Sequence, residues 1–383
     1  MKTSNTQDSK GNWIEISRSA LQANITQFRN LLNPSTKFAA IIKSNAYGHG
    51  ILEIAKLSLE SGVDVLGVNS LEEVKILRDH FPKTEILLMG ETSSPETFER
   101  LFSDPFLWVV TSHPSRVKFY SSLNPRPKIH LKTDTGMGRL GNSGEMLESI
   151  LTGLKEENLP LDGLMTHFAS TEDFTEHSYT LSQLNRFHRI LTRARELGYE
   201  NLIRHSASSA STLLFEEAHL DMVRIGISLY GLWPSLQTRL SLSLMGRDIS
   251  LHPVLAWKSR IVHIQDLPTG SMVGYGSTFK TNYPTRMGVI PVGYYEGLDR
   301  RLSNQGYVLI SGERAPIIGR ICMNMAMLDI THIEGVDVGT EVTILGRSGK
   351  EEISADLHAS LTGTINYDIT TRLQKDIPRI VVD

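Results

Sequence analysis

A single cysteine, Cys322, occurs in 383 residues. An internal disulfide is therefore excluded, and so is a cluster of several cysteines around a metal. No arginine- or lysine-rich block is present. Basic side chains number 39 against 42 acidic ones, for a net charge of −3, which gives no electrostatic footing for nucleic acid. No stretch approaches the ~18 consecutive apolar residues of a membrane span. The opening residues, MKTSNTQDSKGN, lack the apolar core of a secretory leader. There is no P-loop pattern and no dinucleotide-binding βαβ fingerprint, and GMGRLG taken alone is a weak glycine loop. These absences lead us to expect a soluble cytoplasmic protein without a metal, a nucleic-acid partner or a membrane partner.

What remains is ordinary globular material, 40% hydrophobic and 21% charged. Single cores rarely outgrow roughly 250–300 residues, so two domains are expected. Residues 1–11 are polar and expected to be disordered. After WIEIS comes an amphipathic stretch with Leu21, Ile25, Phe28 and Leu31 on one helical face. Eight short apolar runs follow: KFAAIIK, VDVLGV, TEILLM, FLWVV, PKIHLKT, LDGLMTHF, NLIRHSA and LDMVRIG. Most are separated by segments of helical period, such as LEEVKILRDHF and SGEMLESILTGLKEE. Continuous rather than alternating apolar character marks strands buried on both faces, as in parallel sheets. Eight βα units predict a (β/α)8 barrel over 12–245, with a doubly wound sheet as the competing architecture. Beyond residue 245 the segments are short, β-branched and punctuated by Gly and Pro. Residues 246–383 are therefore expected to form a mostly β domain, with helical period returning only in the last thirty residues.

In such barrels chemistry sits at the carboxyl ends of the strands. Lys43 ends the first run. Lys132 ends the fifth and is followed by TDTGMGRLG, which carries Arg139. His167 ends the sixth, Ser206, Ser208 and Ser209 follow the seventh, and Arg224 and Gly226 end the eighth. Each alone is an ordinary surface cap, structural histidine or turn; together they would share one rim. A lysine at the inner rim is partly desolvated, which lowers its pKa and frees its amine for covalent chemistry. The loops after the last two strands are the usual phosphate site of barrels, and here they offer serine hydroxyls and the N–H groups of Gly226 and Ile227. An amine on one side and a phosphate cradle on the other suit pyridoxal 5′-phosphate (PLP).

At this point the segments IIKSNAYGHG, HLKTDTGMGRLG, MTHFAS, DMVRIGISLYG, GYGSTF, PVGYYEG, GRICMNMAMLD and TINYDI resemble, in order, the signature segments of bacterial alanine racemases. The resemblance runs from about Trp13 to Arg379. It implies a PLP barrel followed by a β-rich domain, in a head-to-tail homodimer whose second domains complete each other's sites. It implies that Lys43 bonds PLP and is one catalytic base, and that Tyr275 is the other, on the opposite face. It also implies that Tyr47, Ser209, Gly226, Ile227 and Tyr367 lie on the phosphate side, that Arg224 faces the pyridine nitrogen, and that His167 links Arg224 to Tyr275. Arg139 and Met323 would contact the substrate carboxylate. Lys132 corresponds to a lysine that some members carry as a carbamate. Because a guanidinium keeps its proton, Arg224 would leave the ring nitrogen unprotonated and weaken the electron sink, which favours proton exchange over transamination. The implied activity is interconversion of L- and D-alanine, supplying D-alanine for peptidoglycan.

Departures from the family pattern occur at Asn324 (usually Asp), Ser208 (usually Asn), Tyr295 and Glu296 (in place of Ala-Asp), and Ile225 (usually Pro). Several are near substrate entry, so racemisation of serine or of a broader set of amino acids is an alternative. Decarboxylation of a basic amino acid is a further alternative. It fits less well, because such enzymes normally set an acid where Arg224 stands and use a catalytic cysteine.

Overall fold

In a computed structural model of the chain, residues 11–172 and 177–383 are described. The expectation of disorder for residues 1–11 therefore falls, apart from Gly11, outside the described residues. The described chain divides into two compact units: residues 21–44 with 54–172 and 177–252, and residues 11–20 with 45–53 and 253–383.

The first unit is the eight-stranded parallel barrel. Its strands are β1 (Lys37–Ile41), β2 (Val65–Val68), β3 (Ile86–Leu88), β4 (Leu107–Thr111), β5 (Lys128–Lys132), β6 (Gly163–Met165), β7 (Ile203–His205) and β8 (Met222–Ile225). Each coincides with one of the eight runs picked out by apolar character, β4 running one residue past FLWVV to Thr111. The order is β7-β6-β5-β4-β3-β2-β1-β8. The outer members meet through Asp221 N–H to Arg204 O and Arg224 N–H to Ala207 O, both 3.1 Å, which nearly close the barrel. Every residue of β2, β3, β4, β6 and β8 is buried, as strands covered on both faces require. The helices cover the outside through single apolar stripes. Gly144–Glu156 buries Leu147, Ile150, Leu151 and Leu154, spaced three and four apart. Leu71–His80 begins in a capping box in which Ser70 accepts from the Glu73 N–H and Glu73 returns to the Ser70 N–H.

Two helices that periodicity did not single out, Ile51–Glu60 and Leu236–Leu244, are also present. The second buries Thr238 and Ser241 with only one leucine, Leu242, while Leu236, Leu240 and Leu244 are exposed. An apolar face turned outward gives a misleading pattern when a buried apolar stripe is sought.

The second unit is mostly β. Its largest sheet has the order Glu313–Pro316, Tyr307–Ile310, Glu341–Ser348, Leu255–Arg260, Asn12–Ser17, Arg379–Val382, with Glu351–Ile353 beside Glu341–Ser348. A three-stranded sheet joins His263–Leu267, Thr285–Ile290 and Ala326–Asp329. Helical structure returns late, at Ala355–Thr362 and Asn366–Thr371. The strand Asn12–Ser17 pairs antiparallel with Leu255–Arg260 and parallel with Arg379–Val382. It thus belongs to this sheet, whereas the sequence grouped residues from 12 onward with the barrel. Its partners lie hundreds of residues away, and no local signal names them. Among the described residues no helix is long and apolar enough to cross a membrane.

Candidate active site

The barrel rim gathers cationic side chains. Lys43 lies two residues beyond β1, Lys132 ends β5, His167 lies two residues beyond β6, and Arg224 sits within β8. Their fields overlap. Burial lowers the pKa of Lys43, and the nearby Arg139 lowers it further, against the pull of Glu73. Burial, then Arg224 and Arg139, press the Lys132 amine well below its usual range. His167 is held well below the ordinary histidine range by burial and then by Arg224, Lys132, Arg139 and Lys43. At neutral pH His167 is therefore an uncharged imidazole.

Arg224 is buried with neutral acceptors. It donates from Nη1 to His205 Nδ1 at 3.1 Å, and from Nη2 to Thr166 O and Ser206 O, both at 2.9 Å, and to His167 Nδ1 at 3.4 Å. Burial pushes its guanidinium down to about 9, which leaves it charged near pH 7. Because the guanidinium can only donate, Nδ1 of both histidines must be the acceptor. The remaining proton of each neutral ring therefore sits on Nε2. On His205 that Nε2–H meets His130 Nδ1 at 2.8 Å. His130 stacks on Trp108 at 5.0 Å, and burial holds it down at about 3. Gly163 in β6 makes room for this ring: a Cβ there would lie 2.4 Å from His130 Nδ1.

Arg139 rides on the loop after β5. Asp134 shapes that loop by accepting from the N–H groups of Gly136 and Met137 at 2.8 Å and of Gly138 at 3.0 Å. Gly141, at φ +112°, closes it where a Cβ would come 2.7 Å from the Thr133 carbonyl carbon. On the opposite side of the rim Ser209 Oγ accepts from Gly226 N–H at 3.0 Å and Ser228 N–H at 3.4 Å. Ser209, Gly226 and Ile227 are thus brought together. Ser208 is the N-cap of the helix Ser209–Leu214. Ser and Asn cap comparably well, so this departure from the family pattern leaves the local fold intact.

The polar turn behind Lys43 is left-handed. Lys43–Tyr47 makes one helical turn, with φ of +55°, +54°, +52° and +53° at Ser44, Asn45, Ala46 and Tyr47. Such backbone costs L-residues roughly 1–2 kcal/mol each and persists only where contacts over-determine it. Glu73 accepts from the Ser44 N–H. Asn45 O accepts from Gly48 N–H and Gly50 N–H, each at 3.0 Å, and Asn45 Oδ1 accepts from Ile51 N–H at 3.0 Å. The His49 ring, held neutral by burial at about 3, points Nδ1 at Ala46 O and Tyr47 O, both at 3.1 Å. The Tyr47 ring lies 6.1 Å from that of Tyr367.

Tyr275 and Met323 belong to the β-rich unit. Tyr275 is 70% exposed, on a single tight turn between Gly274 and Gly276, both at positive φ. A Cβ on Gly276 would come 2.8 Å from the Arg320 guanidinium. Met323 is 55% exposed, and its carbonyl accepts from the Tyr295 N–H at 2.9 Å. Gly293 is forced, since a Cβ there would lie 2.2 Å from Cys322 O and 2.3 Å from Met323 O.

Sequence reasoning missed Glu73, Asp134, His49 and the pair His130–His205. Signals existed for some of them. SLEE reads as a capping box, and a histidine inside the otherwise apolar runs KIHLK and LIRHSA is out of place.

The donor set fits PLP. A depressed amine, serine-linked backbone N–H groups and an excess of cations over carboxylates match a carbonyl, a phosphate and a substrate carboxylate. An eight-stranded parallel barrel with a depressed amine and further cationic side chains at its rim has the architecture of a barrel enzyme. Family models agree: residues 16–234 match the alanine racemase N-terminal domain and residues 254–381 its C-terminal domain. An alanine racemase of Leptospira interrogans is 54% identical over all of this chain and 98% of its own length. One from Halothermothrix orenii is 38% identical, with 96% of each chain covered. Among solved structures, alanine racemase from Bacillus anthracis with bound L-Ala-P superposes with a TM-score of 0.88 at 31% identity, covering 98% of this chain and 95% of that one. The enzyme from Bartonella henselae with covalently bound pyridoxal phosphate gives 0.82 at 26% identity, covering 97% and 99%. The chain belongs to the alanine racemase family. It is an amino-acid racemase of a PLP-dependent family.

Proposed function

We propose that the chain interconverts L- and D-alanine with PLP on Lys43, using Lys43 and Tyr275 as bases on opposite faces of the substrate. Two observations on the barrel rim carry this reading together. The Lys43 amine is depressed by burial and Arg139, and the Arg224 guanidinium is buried with neutral acceptors. PLP, when bound, supplies an electron sink that lets a Cα–H leave as a proton.

The chain's own residues do the rest. A neutral lysine amine at Nζ can take a proton from one face, whereas a charged one cannot. A tyrosine of ordinary pKa near ~10 needs help to act as phenolate. His167 offers it, since Arg224 occupies Nδ1 and leaves Nε2–H to donate. Arg139 pairs with the substrate carboxylate, joined by Met323. Tyr47, Ser209, Gly226, Ile227 and Tyr367 take the phosphate. The Lys132 amine, its pKa pressed down by burial and then by Arg224 and Arg139, is suited to take up CO2 as a carbamate and so neutralise Arg139 locally.

Tyr275 and Met323 are supplied by a second copy of the chain in a homodimer. The β-rich unit supports this by exposing Met272, Tyr275, Tyr295, Met323 and Met325, which suits an interface better than open water. The role is D-alanine supply for peptidoglycan in the cytoplasm.

Borohydride reduction should leave the pyridoxyl mass on the Lys43 peptide. Solvent deuterium should enter Cα of both alanine enantiomers. Lys43→Ala should lose colour and exchange; Tyr275→Phe should lose exchange from L-alanine far more than from D-alanine. Mixed, subunit-exchanged Lys43→Ala and Tyr275→Phe enzymes should regain activity up to about one quarter of wild type, because half the dimers hold one intact site. Exchange unaffected by Tyr275→Phe, or no recovery on mixing, would refute the two-base, two-chain reading. A panel of L-amino acids including serine separates the alternative substrates.

A further inference from the structure

We propose that Arg379 is a positioning residue for the cofactor pocket, acting through the Gly48 carbonyl to hold the left-handed turn that carries Tyr47. The inference rests on the PLP reading above, in which Tyr47 and Tyr367 lie on the phosphate side.

Arg379 begins the last strand, Arg379–Val382, and is 331 positions from Gly48 in the chain. Its guanidinium donates to main-chain carbonyls. Nη2 reaches Gly48 O at 2.8 Å and Nε reaches the same oxygen at 3.3 Å. Nη1 reaches Gln374 O at 2.8 Å, Lys375 O at 2.7 Å and Ile377 O at 2.6 Å. One edge of the fork thus holds the end of the left-handed turn. The remaining nitrogen holds the segment that follows the helix Asn366–Thr371. Tyr367 lies on that helix, facing Tyr47. Gly48 itself lies against the helix so closely that a Cβ would sit 1.9 Å from Thr370 O. The two tyrosines are therefore set by one clamp with Arg379 at its centre.

The strand that carries the clamp is itself fixed, pairing in parallel with Asn12–Ser17 through Ile14 and Arg379. A planar guanidinium with five N–H groups can serve two directions at once; a lysine ammonium, a point charge, cannot. The turn needs such a device because four successive non-glycine residues at φ near +53° will not keep that shape unaided.

The test compares the holoenzyme with its Arg379→Lys variant. The variant is expected to show wild-type circular dichroism and still give the pyridoxyl mass on the Lys43 peptide. Its PLP dissociation constant should rise about tenfold to a hundredfold, the loss of one or more charge-assisted hydrogen bonds. A folded variant that holds PLP as tightly as wild type overturns the proposal while leaving the PLP reading intact. Failure of the wild-type enzyme to give that mass overturns the reading itself. Hydrogen exchange on the wild-type protein gives an independent check that needs no variant. Adding PLP to the apoenzyme should slow the amides of residues 45–51 and of residues 374–379 together. Protection at 45–51 without any change at 374–379 would also overturn the clamp.

Discussion

His205 Nδ1 accepts from the Arg224 guanidinium at 3.1 Å while its Nε2 meets His130 at 2.8 Å. One buried ring therefore satisfies a charged donor on one side and an imidazole acceptor on the other. His205→Leu keeps the volume but strips Arg224 Nη1 and His130 Nδ1 of the partner they share in the barrel interior, while Arg224 Nη2 keeps Thr166 O and Ser206 O. Each orphaned group costs about 1–3 kcal/mol, so we expect the variant to lose about 2–6 kcal/mol, read from the urea midpoint. A midpoint unchanged from wild type would mean that the relay contributes nothing to stability.

The sequence located all eight barrel strands, because parallel strands buried on both faces are continuous apolar runs and need no distant partner to be recognised. Lys43, Lys132, His167 and Arg224 were visible for a related reason, since each interrupts or ends such a run. The left-handed turn at Ser44–Tyr47 was not visible. Nothing in SNAY demands positive φ; the conformation is imposed by Glu73, His49 and the close approach of Gly48 to Thr370. The histidine relay and the Arg379 clamp likewise depend on residues 75 and 331 positions apart, contacts that no local pattern encodes.

Two departures from the family pattern face each other. The Asn324 amide donates to Glu296 Oε1 at 2.8 Å, and Glu296 Oε2 accepts from the Gly293 N–H at 2.9 Å. Together with Tyr295 N–H on Met323 O, this ties the Met323 turn to the 293–296 segment. Asn324→Asp would set two carboxylates against each other. At an exposed site that repulsion is worth about 1 kcal/mol. The KM for alanine at pH 8 should therefore rise about fivefold relative to wild type, with kcat changed less. The defect should vanish in Asn324→Asp/Glu296→Gln. A KM defect that persists in Asn324→Asp/Glu296→Gln would rule out this electrostatic coupling.

Acid should unfold the protein through its buried histidines. Burial holds His49 and His130 at about 3 and His358 at about 4, against about 6.5 for histidine in an unfolded chain. Between pH 6.5 and about 4 the unfolded chain binds protons that the native fold refuses. Stability is therefore full above pH 6.5 and falls as the pH drops through that window. Each such histidine contributes a slope of up to about 1.4 kcal/mol per pH unit. Three together approach about 4 kcal/mol per unit near pH 5, a large share of the 5–15 kcal/mol that holds a typical fold. Urea midpoints at pH 7.5, 6.0 and 5.0 measure this directly, and they should fall steeply over the last interval. His358→Leu removes a buried ring whose Nε2 has no hydrogen-bond partner. The variant should lose one proton's worth of slope while keeping the wild-type trend otherwise. Midpoints flat from pH 7.5 to 5.0, or a slope unaltered by His358→Leu, would show that these rings titrate alike in the folded and unfolded chain.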